Sequence, residues 1–282
     1  MIRPPPQSPG GRRVDLHSHS IFSDGALSPE ALVARAVDRH LAALALTDHD
    51  TVEGIAPARE AAAGMIELVP GIELSSAFDG VDLHILGYYL NPDDARLCER
   101  LVRFRDERRR RALAIVDRLA AAGAPVDPQA VLRRAGPGVV GRPHVAEALV
   151  EAGHVESLDQ AFRRYIGPQG VAFVPRPAFS PEEAIALIHA ADGVSALAHP
   201  GALLADAVIE RLVASGLRGI EVWHPQHSPT TIRRYRALAT RLGLVETGGS
   251  DFHAEGRGTD LGDIAVPITV LAPLKQAAGV AG

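Results

Sequence analysis

Short apolar runs alternate with amphipathic segments along most of this 282-residue sequence. Eight runs rich in Val, Ile, Leu and Ala predict strands, at residues 14–19, 41–47, 66–74, 81–90, 194–198, 219–223, 244–248 and 264–270. Several of these runs are apolar throughout, as is typical of strands that are covered on both faces. The alternation predicts an α/β protein with a parallel sheet, either open or closed into a barrel.

The segments between the strands carry residues that favour helix starts. Ser28-Pro29-Glu30 supplies a capping hydroxyl, a proline for the first helical position and an early negative charge. Ser180-Pro181-Glu182-Glu183 repeats this pattern and adds the glutamate of a capping box. We therefore expect helices over residues 29–40, 57–64, 181–191, 207–214 and 231–242.

The strand–helix alternation stops between residues 93 and 177. A long arginine-rich helix is predicted over 96–122, and shorter ones follow at 128–134, 143–152 and 158–165. We interpret 96–176 as a helical insertion into a barrel formed by 13–95 and 177–282, which contributes to the substrate site. Residues 1–12 are rich in Pro and Gly and predict a flexible tail.

The insertion is also the basic part of the chain. Residues 96–176 hold 15 Arg against 9 Asp and Glu, a balance of +6, so the remainder must carry −11 to give the net −5. A basic insertion on an acidic body can steer anions towards it. The same charges are also typical of solvated helix faces. Charge alone favours this second interpretation over anion steering.

Cysteine content and hydropathy bear on the compartment. Cys98 is the single cysteine, so neither an intramolecular disulfide nor a thiolate metal cluster is expected. The first thirteen residues lack the apolar stretch of a signal peptide, and no run approaches the roughly 18 apolar residues of a membrane span. We expect a cytoplasmic protein that does not enter the membrane.

Histidines and carboxylates recur where the predicted strands end. His17 and His19 are two apart, so a strand places both side chains on one face. Similar groups lie in or after five other strands, and the full set is His17, His19, Asp24, His49, Glu73, His84, His199, Asp251 and His253. Each has an ordinary explanation by itself, such as a buried core histidine or a strand end. The recurrence after six strands favours one shared site at the barrel mouth.

The number and type of these groups indicate the cofactor. Nine ligands exceed the three protein ligands that are typical of a single catalytic zinc ion. They have room for two or three divalent ions, with a carboxylate such as Glu73 bridging a pair. Imidazole mixed with carboxylate favours Zn, Mn or Fe over Ca or Mg alone.

The ordered motifs resemble those of the PHP (polymerase and histidinol phosphatase) superfamily. The resemblance extends from about residue 14 to 270 and rests on His17-Ser-His19, Asp24-Gly25, Thr47-Asp-His-Asp50, Gly71-Ile-Glu73, His84-Ile-Leu-Gly87, Ala198-His-Pro200 and Gly249-Ser-Asp-Phe-His253. It is strongest to the bacterial small PHP phosphoesterases, which include nucleoside 3′,5′-bisphosphate phosphatases and 5′-to-3′ oligoribonucleases. That branch carries a helical insertion with an Arg-Pro-His motif, found here as Gly141-Arg-Pro-His144.

This resemblance implies a distorted seven-stranded TIM-like β/α barrel with a two- or three-metal site. By position in the motifs, His17, His19, Glu73 and Asp251 would hold the first metal ion. Glu73 would bridge to a second ion, which His84 and His199 also bind. Asp24, His49 and His253 would form the third position, although some relatives have a histidine where this chain has Asp24.

The expected activity is hydrolysis of phosphate esters of nucleotides or short oligoribonucleotides by a metal-bridged hydroxide. Nucleoside 3′,5′-bisphosphates are the leading example, since the basic insertion lacks the interleaved aromatic residues of a strand-binding surface. Stable binding of duplex nucleic acid is not expected. The alternatives are a histidinol-phosphate phosphatase, an amidohydrolase and a non-catalytic PHP module.

Beyond the metal ligands, a smaller set of residues is expected to act on the substrate. Glu73, Asp24 and His224 are the candidate catalytic residues. Arg142 and His144 are candidates to bind substrate phosphate, with His224 near the leaving group or in a supporting role. A second interpretation is that Arg142-Pro143 merely begins a helix, with His144 in its first turn.

Overall fold

A single twisted sheet forms the centre of the protein, whose computed structural model describes residues 12–280. The predicted flexible tail, apart from Arg12, lies outside these described residues. Its strand order is β7-β6-β5-β4-β3-β2-β1-β8. The strands are β1 (Arg13–Asp15), β2 (Ala43–Leu46), β3 (Glu67–Phe78), β4 (Val81–Tyr88), β5 (Val194–Leu197), β6 (Gly219–Trp223), β7 (Val245–Gly248) and β8 (Val266–Pro267).

The sheet curls into a nearly closed barrel. At the seam, the Leu16 amide donates to the Gly248 carbonyl at 3.0 Å, and the His19 amide donates to that of Phe252 at 2.9 Å. The segment that follows β1 therefore lies against the segment that follows β7. The two-residue β8 pairs antiparallel with the start of β1 and covers its edge there. The predicted TIM-like α/β barrel is confirmed, with β8 added to the seven implied strands.

Strand β4 departs from the parallel sheet that the alternation predicts, because it runs antiparallel to both of its neighbours. A two-residue turn, Asp79-Gly80, connects it to β3. Both residues have positive φ, 48° and 79°. Paired positive φ angles are typical of the type I′ turn that joins hairpin strands, and Asp-Gly is one of its preferred sequences. The hairpin was therefore readable from the sequence.

Helices cover the outside of the barrel. They are α1 (Pro29–Asp38), α2 (Ile55–Ala62), α7 (Pro181–Ala190), α8 (Asp206–Ala214), α9 (Pro229–Leu242) and α10 (Leu271–Ala277). Ser28 caps α1 by accepting the Ala31 amide, and Ser180 with Glu183 forms the predicted capping box of α7. Within the described residues 12–280, no helix combines the length and hydrophobicity needed to cross a membrane.

The insertion consists of α3 (Ala95–Ala121), α4 (Pro128–Arg134), α5 (Arg142–Glu151), α6 (Leu158–Ala161) and a π-helical turn (Phe162–Ile166). Its buried apolar side chains, among them Ile115, Val145 and Leu149, form a cluster of their own. The first half of α3 instead packs through Leu101 and Phe104 into a barrel cluster. Helix α3 thus belongs to both cores, and the boundaries predicted at 96 and 176 remain a prediction.

The insertion also reaches the barrel mouth. The Val139 amide donates to the Phe22 carbonyl at 3.0 Å, in the loop between β1 and α1. A Cβ added at Gly138 would lie 2.4 Å from the backbone of Phe22, so only glycine permits this approach. The contact places the start of α5 beside the strand ends.

Candidate metal centre

His17 and His19 lie just beyond the end of β1 and are fully buried. The chain after β7 passes close behind them, because a Cβ added at Gly249 would lie 2.4 Å from the His17 nitrogen. Asp15 connects the same segments, since its Oδ1 accepts the amides of His17 at 3.3 Å and Ser250 at 3.0 Å. The Asp15 carboxylate and the close approach at Gly249 thus hold the backbone of His17 against the segment after β7.

Glu73, near the middle of β3, is the centre of the cluster and is fully buried. Its Oε2 lies 3.2 Å from Nε2 of both His17 and His19. Its Oε1 lies 2.7 Å from Nδ1 of His84 and 2.9 Å from Nε2 of His199. The two oxygens therefore face two different sets of histidines, as a carboxylate that bridges two metal ions must.

Asp251 completes the first set of ligands. Its Oδ1 lies 3.3 Å from His17 Nε2 and 3.2 Å from His19 Nε2. One donor atom from each of four residues lies within 4.8 Å of the others, and these are His17, His19, Glu73 and Asp251. They are the same four residues that the sequence assigns to one metal ion.

A second set surrounds Asp24. Its Oδ1 lies 3.4 Å from His253 Nε2 and 4.0 Å from both His19 Nδ1 and His49 Nε2. His49 stands between sets, because its Nδ1 is 3.1 Å from Glu73 Oε2. The structure also groups it with Glu73 and His84. All nine predicted ligands therefore come together, with His49 placed between two positions.

His84 does not lie at the end of its strand, where the ligand candidates were expected. It lies early in β4, opposite Ser75 of β3. Since β4 runs antiparallel, its beginning rather than its end is at the barrel mouth.

Several of the candidate donor atoms fit a metal centre because they have no hydrogen-bond partner. Among the described residues, four buried side-chain atoms in this cluster have no hydrogen-bond partner, and they are His19 Nε2, Asp24 Oδ1, His49 Nδ1 and His84 Nε2. Buried polar atoms without partners are rare in proteins, and one common reason is a bound ion. Neutral imidazoles with ionised carboxylates suit divalent transition metals.

The charges within the cluster balance each other. Despite burial, the neighbouring histidines hold the pKa of Glu73 well below its ordinary value. Burial alone would lower the pKa of His19, but Asp251 and Glu73 raise it to about 10. Burial lowers the pKa of His49 to about 3. The carboxylates therefore stay ionised, and divalent cations would take the place of protons held by His17 and His19.

Glu221 is a site residue that the sequence analysis missed. It lies in β6 and is fully buried. Its Oε1 is 3.0 Å from His17 Nδ1, and its Oε2 accepts the His199 amide at 2.7 Å. A carboxylate on the outer nitrogen of a ligand histidine fixes the ring and its tautomer. The signal was a glutamate in the middle of an apolar strand, Gly219-Ile-Glu-Val-Trp223.

Two candidate ligands have unusual backbone angles. His199 has φ of 23° and Asp251 has φ of 51°. Positive φ is uncommon outside glycine and concentrates at functional sites, where surrounding structure maintains it. Here His227 supports the His199 loop, because its Nε2 accepts the Gly201 amide at 3.3 Å while its Nδ1 is 2.9 Å from the Val222 carbonyl. His227 therefore positions this loop, a role that no pattern in the sequence indicated.

His224 is 3% exposed and both of its nitrogens are engaged. Its Nδ1 accepts the Gln226 amide at 3.2 Å, so Nε2 carries the hydrogen, and Nε2 is 3.3 Å from Asp251 Oδ2. These contacts favour a role in orienting Asp251 over proton donation. The catalytic and substrate roles expected of His224 remain predictions.

Arg142 and His144 begin α5, as the second interpretation of the sequence holds. His144 Nδ1 accepts the Gly141 amide at 2.9 Å, which leaves the hydrogen on Nε2. Burial lowers the pKa of His144, and the charge of Asp24 acts in the opposite sense. Arg142 Nη2 donates to Asp82 at 2.7 Å, two residues before His84. The two interpretations of Arg142 and His144, a helix start and a substrate contact, are compatible with each other.

Comparisons with known proteins agree with this geometry. The PHP domain family model matches residues 15–161. The 5′-3′ exoribonuclease Rnm of Escherichia coli is 38% identical over 88% of this chain and 87% of its own length. The 3′,5′-nucleoside bisphosphate phosphatase of Chromobacterium violaceum is 37% identical over 87% of this chain and 88% of its own length.

A solved structure has the same fold as this chain. A Bifidobacterium adolescentis protein assigned as a metal-dependent phosphoesterase superimposes with a TM-score of 0.88 at 32% identity, over 96% of this chain and 98% of that one. Fold, ligand motifs and near full-length similarity therefore agree, and the resemblance seen in the sequence is confirmed. The chain belongs to the PHP domain family of metal-dependent phosphoesterases.

Proposed function

We propose that this protein hydrolyses phosphate esters of nucleotides, with nucleoside 3′,5′-bisphosphates and short oligoribonucleotides as its substrate class. One observation carries the proposal: the two oxygens of buried Glu73 face separate histidine sets at a barrel mouth beside an arginine-rich insertion. The similarity to a bisphosphate phosphatase and an exoribonuclease supports the same class of substrate.

The metal content proposed is two or three Mn, Zn or Fe ions. His17, His19, Glu73 and Asp251 would hold the first, Glu73 with His84 and His199 the second, and Asp24 with His49 and His253 the third. When bound, such ions lower the pKa of water and neutralise phosphoryl charge. The four partnerless donor atoms support this assignment.

The protein side chains would bind and orient the substrate. Arg142, 16% exposed at the edge of the cluster, offers a guanidinium to a phosphate group. His144 offers a neutral Nε2–H near Asp24. Asp24 and Glu73 would act through the metal ions that they hold, and His224 by keeping Asp251 in position. Catalysis would then depend on positioning and on charge stabilisation at phosphorus.

A phosphate-release screen tests the proposal. Purified protein would be supplied with Mn, Zn or Fe(II) and offered nucleoside 3′,5′-bisphosphates, short oligoribonucleotides and histidinol phosphate. We expect release from the first two at rates well above that of histidinol phosphate. Faster release from histidinol phosphate would reassign the substrate, and protein that binds no metal would support a non-catalytic module.

The compartment is a further part of the proposal. The single cysteine, Cys98, is exposed and unpaired among the described residues. An exposed free thiol suits a reducing environment, and we therefore infer that the protein is cytoplasmic. Fractionation of the producing cell with a periplasmic marker would check this placement.

A further inference from the structure

The loop between β5 and α8, residues 198–205, carries the ligand candidate His199 to the barrel mouth. Its backbone bends sharply there, since φ is 23° at His199 and 66° at Gly201. Residues with a side chain rarely adopt the angle found at His199, and such angles persist only where the surrounding structure imposes them. The contacts that hold this loop therefore determine where the His199 imidazole lies.

Gly201 is held through both of its backbone polar groups by side chains that follow β6. The Tyr235 hydroxyl, in α9, donates to the Gly201 carbonyl at 2.6 Å. The Gly201 amide donates to His227 Nε2 at 3.3 Å, so His227 Nδ1 carries the hydrogen and donates it to the Val222 carbonyl at 2.9 Å. The rings of His227 and Tyr235 are also neighbours, with centroids 5.4 Å apart. The backbone two residues after His199 is thus fixed.

Arg234, which precedes Tyr235 in α9, holds the rest of the loop. Its Nη1 donates to the Ala202 carbonyl at 2.9 Å, and its Nη2 donates to the Leu204 carbonyl at 2.6 Å. Nη2 also donates to the carboxylate of Asp206, the first residue of α8, at 2.6 Å. The several donors of a planar guanidinium make such a contact to three oxygens possible.

Helix α9 is the rigid partner in these contacts. Tyr235 is fully buried and its ring packs into a barrel core cluster. Ser228 caps the helix by accepting the Thr231 amide at 3.2 Å. The loop has less packing of its own, since Leu203 is 97% exposed. The helix therefore sets the position of the loop, and the hydroxyl of Tyr235 is one of the groups that transmit it.

These contacts bear on one of the proposed metal positions. His199 shares the second position with Glu73 and His84, and its Nε2 is 2.9 Å from Glu73 Oε1. The other two positions take their remaining ligand candidates from the segments after β1, β2 and β7. A shift of the His199 loop would therefore change the second position and leave the other ligand candidates in place.

We propose that Tyr235, together with His227 and Arg234, sets the metal affinity of the second position by positioning His199, without contacting metal or substrate. This role rests on the proposed function and deepens it, because it gives one metal ion a support that the others do not share. Groups that orient metal ligands typically contribute 10- to 100-fold to metal affinity. Tyr235 acts through two residues of backbone, so we expect an effect of about 10-fold.

Tyr235→Phe tests this role, because it keeps the buried ring and removes the hydroxyl. Chelator-treated protein would be titrated with Mn²⁺ in a calorimeter. We expect the affinity for one ion per chain to weaken about 10-fold, and that for the other ions to stay within about twofold. The electron paramagnetic resonance signal of a spin-coupled Mn pair should weaken in parallel. Tyr89→Phe is the matched control, since it loses a hydroxyl hydrogen bond of 2.7 Å to Glu67, at the start of β3, and should bind as wild type does.

His227 allows a second comparison, at the Gly201 amide. Its turn also carries His224, which contacts Asp251, so two variants are compared with each other. A glutamine can accept the Gly201 amide and an alanine cannot, so His227→Gln should keep affinity that His227→Ala loses. This pair also decides the matter if Tyr235→Phe does not fold.

Unchanged affinity in Tyr235→Phe, or equal weakening of every ion, would overturn the role of Tyr235 in positioning His199. Equal weakening would instead indicate a general loss of structure, which a lower unfolding temperature of the metal-free variant would accompany. Wild-type protein that binds Mn²⁺ but hydrolyses no phosphate ester would reject the proposed function alone, and the Mn²⁺ titration would still decide the role of Tyr235. Wild-type protein that binds no Mn²⁺ would overturn both.

Discussion

Glu73 is the residue whose environment says most about the chemistry. Its two oxygens contact five of the six candidate histidine ligands within 3.2 Å. A fully buried carboxylate is costly unless cations or several hydrogen bonds compensate it. Here the compensation comes from histidines on four different segments of the chain. Glu73 would therefore contribute a ligand oxygen to both metal positions.

Exchanging Glu73 for Gln keeps the shape and removes one donor oxygen and the charge. We expect phosphate release to fall at least about 100-fold, since even the residues behind metal ligands contribute 10- to 100-fold. Metal content, measured by plasma mass spectrometry, should drop by at least one ion per chain. Glu99→Gln, exposed on α3, is the control. Full activity with full metal content in Glu73→Gln would contradict the bridge.

Glu221 acts on the site without contacting substrate. Glu221→Gln removes the charge beside His17 Nδ1 and can place an amide hydrogen against the His199 amide. We expect metal affinity, measured by competition with a chelating dye, to weaken about 10- to 100-fold. A structural role alone would lower the unfolding temperature and leave affinity unchanged, so both quantities should be measured.

At the scale of elements, the position of the loop after β7 determines whether the candidate ligands of the first metal ion can come together. Gly249 lets this loop pass within contact of the His17 backbone. The same loop carries Asp251 and His253, so a displacement there moves two ligand candidates at once. The seam of the barrel is thus also one wall of the metal centre.

Gly249→Ala places a Cβ about 2.4 Å from the His17 nitrogen, well inside van der Waals contact. We expect a lower unfolding temperature together with loss of bound metal. Gly256→Ala is the control, because its Cβ meets no atom within 4 Å and only the positive φ of 72° is strained. Metal content in Gly249→Ala equal to that in Gly256→Ala would show that the close approach does not position the ligands.

At the scale of the whole molecule, the ligands come from six strands and their following loops. Metal ions at the mouth would therefore cross-link the barrel. A ligand present at 100 times its Kd stabilises the folded state by about 2.7 kcal/mol. For a chain of this size such a gain raises Tm by roughly 5 °C.

Adding Mn²⁺ to chelator-treated protein should produce this rise, measured by scanning calorimetry. Glu73→Gln should show a smaller rise under the same conditions, because it would hold fewer ions. A Tm that does not respond to Mn²⁺, Zn²⁺ or Fe²⁺ would contradict a metal centre that spans the strands.

The sequence by itself determined the α/β class and the set of candidate ligands, because both are encoded locally, whereas the closed barrel was implied by the resemblance to the PHP superfamily. Apolar runs of strand length, capping residues and the position of each histidine at a strand end depend only on neighbours in the chain. His17, Glu73 and Asp251 were therefore identifiable before any fold was known. The direction of β4 was also encoded, in Asp79-Gly80, and reading the alternation as parallel throughout was wrong.

Only the tertiary structure decided which charged groups are buried and which of them contact each other. Glu221 lies 204 residues from His17, and Arg108 lies 58 residues from Asp50. In the sequence, Arg111 is one of four consecutive arginines in a predicted helix, a pattern that is typical of solvated positions. The segment that holds Val174 and Arg176 packs over it and removes the solvent. Whether a charge is buried depends on elements that are distant in the chain, so the local sequence pattern cannot predict it.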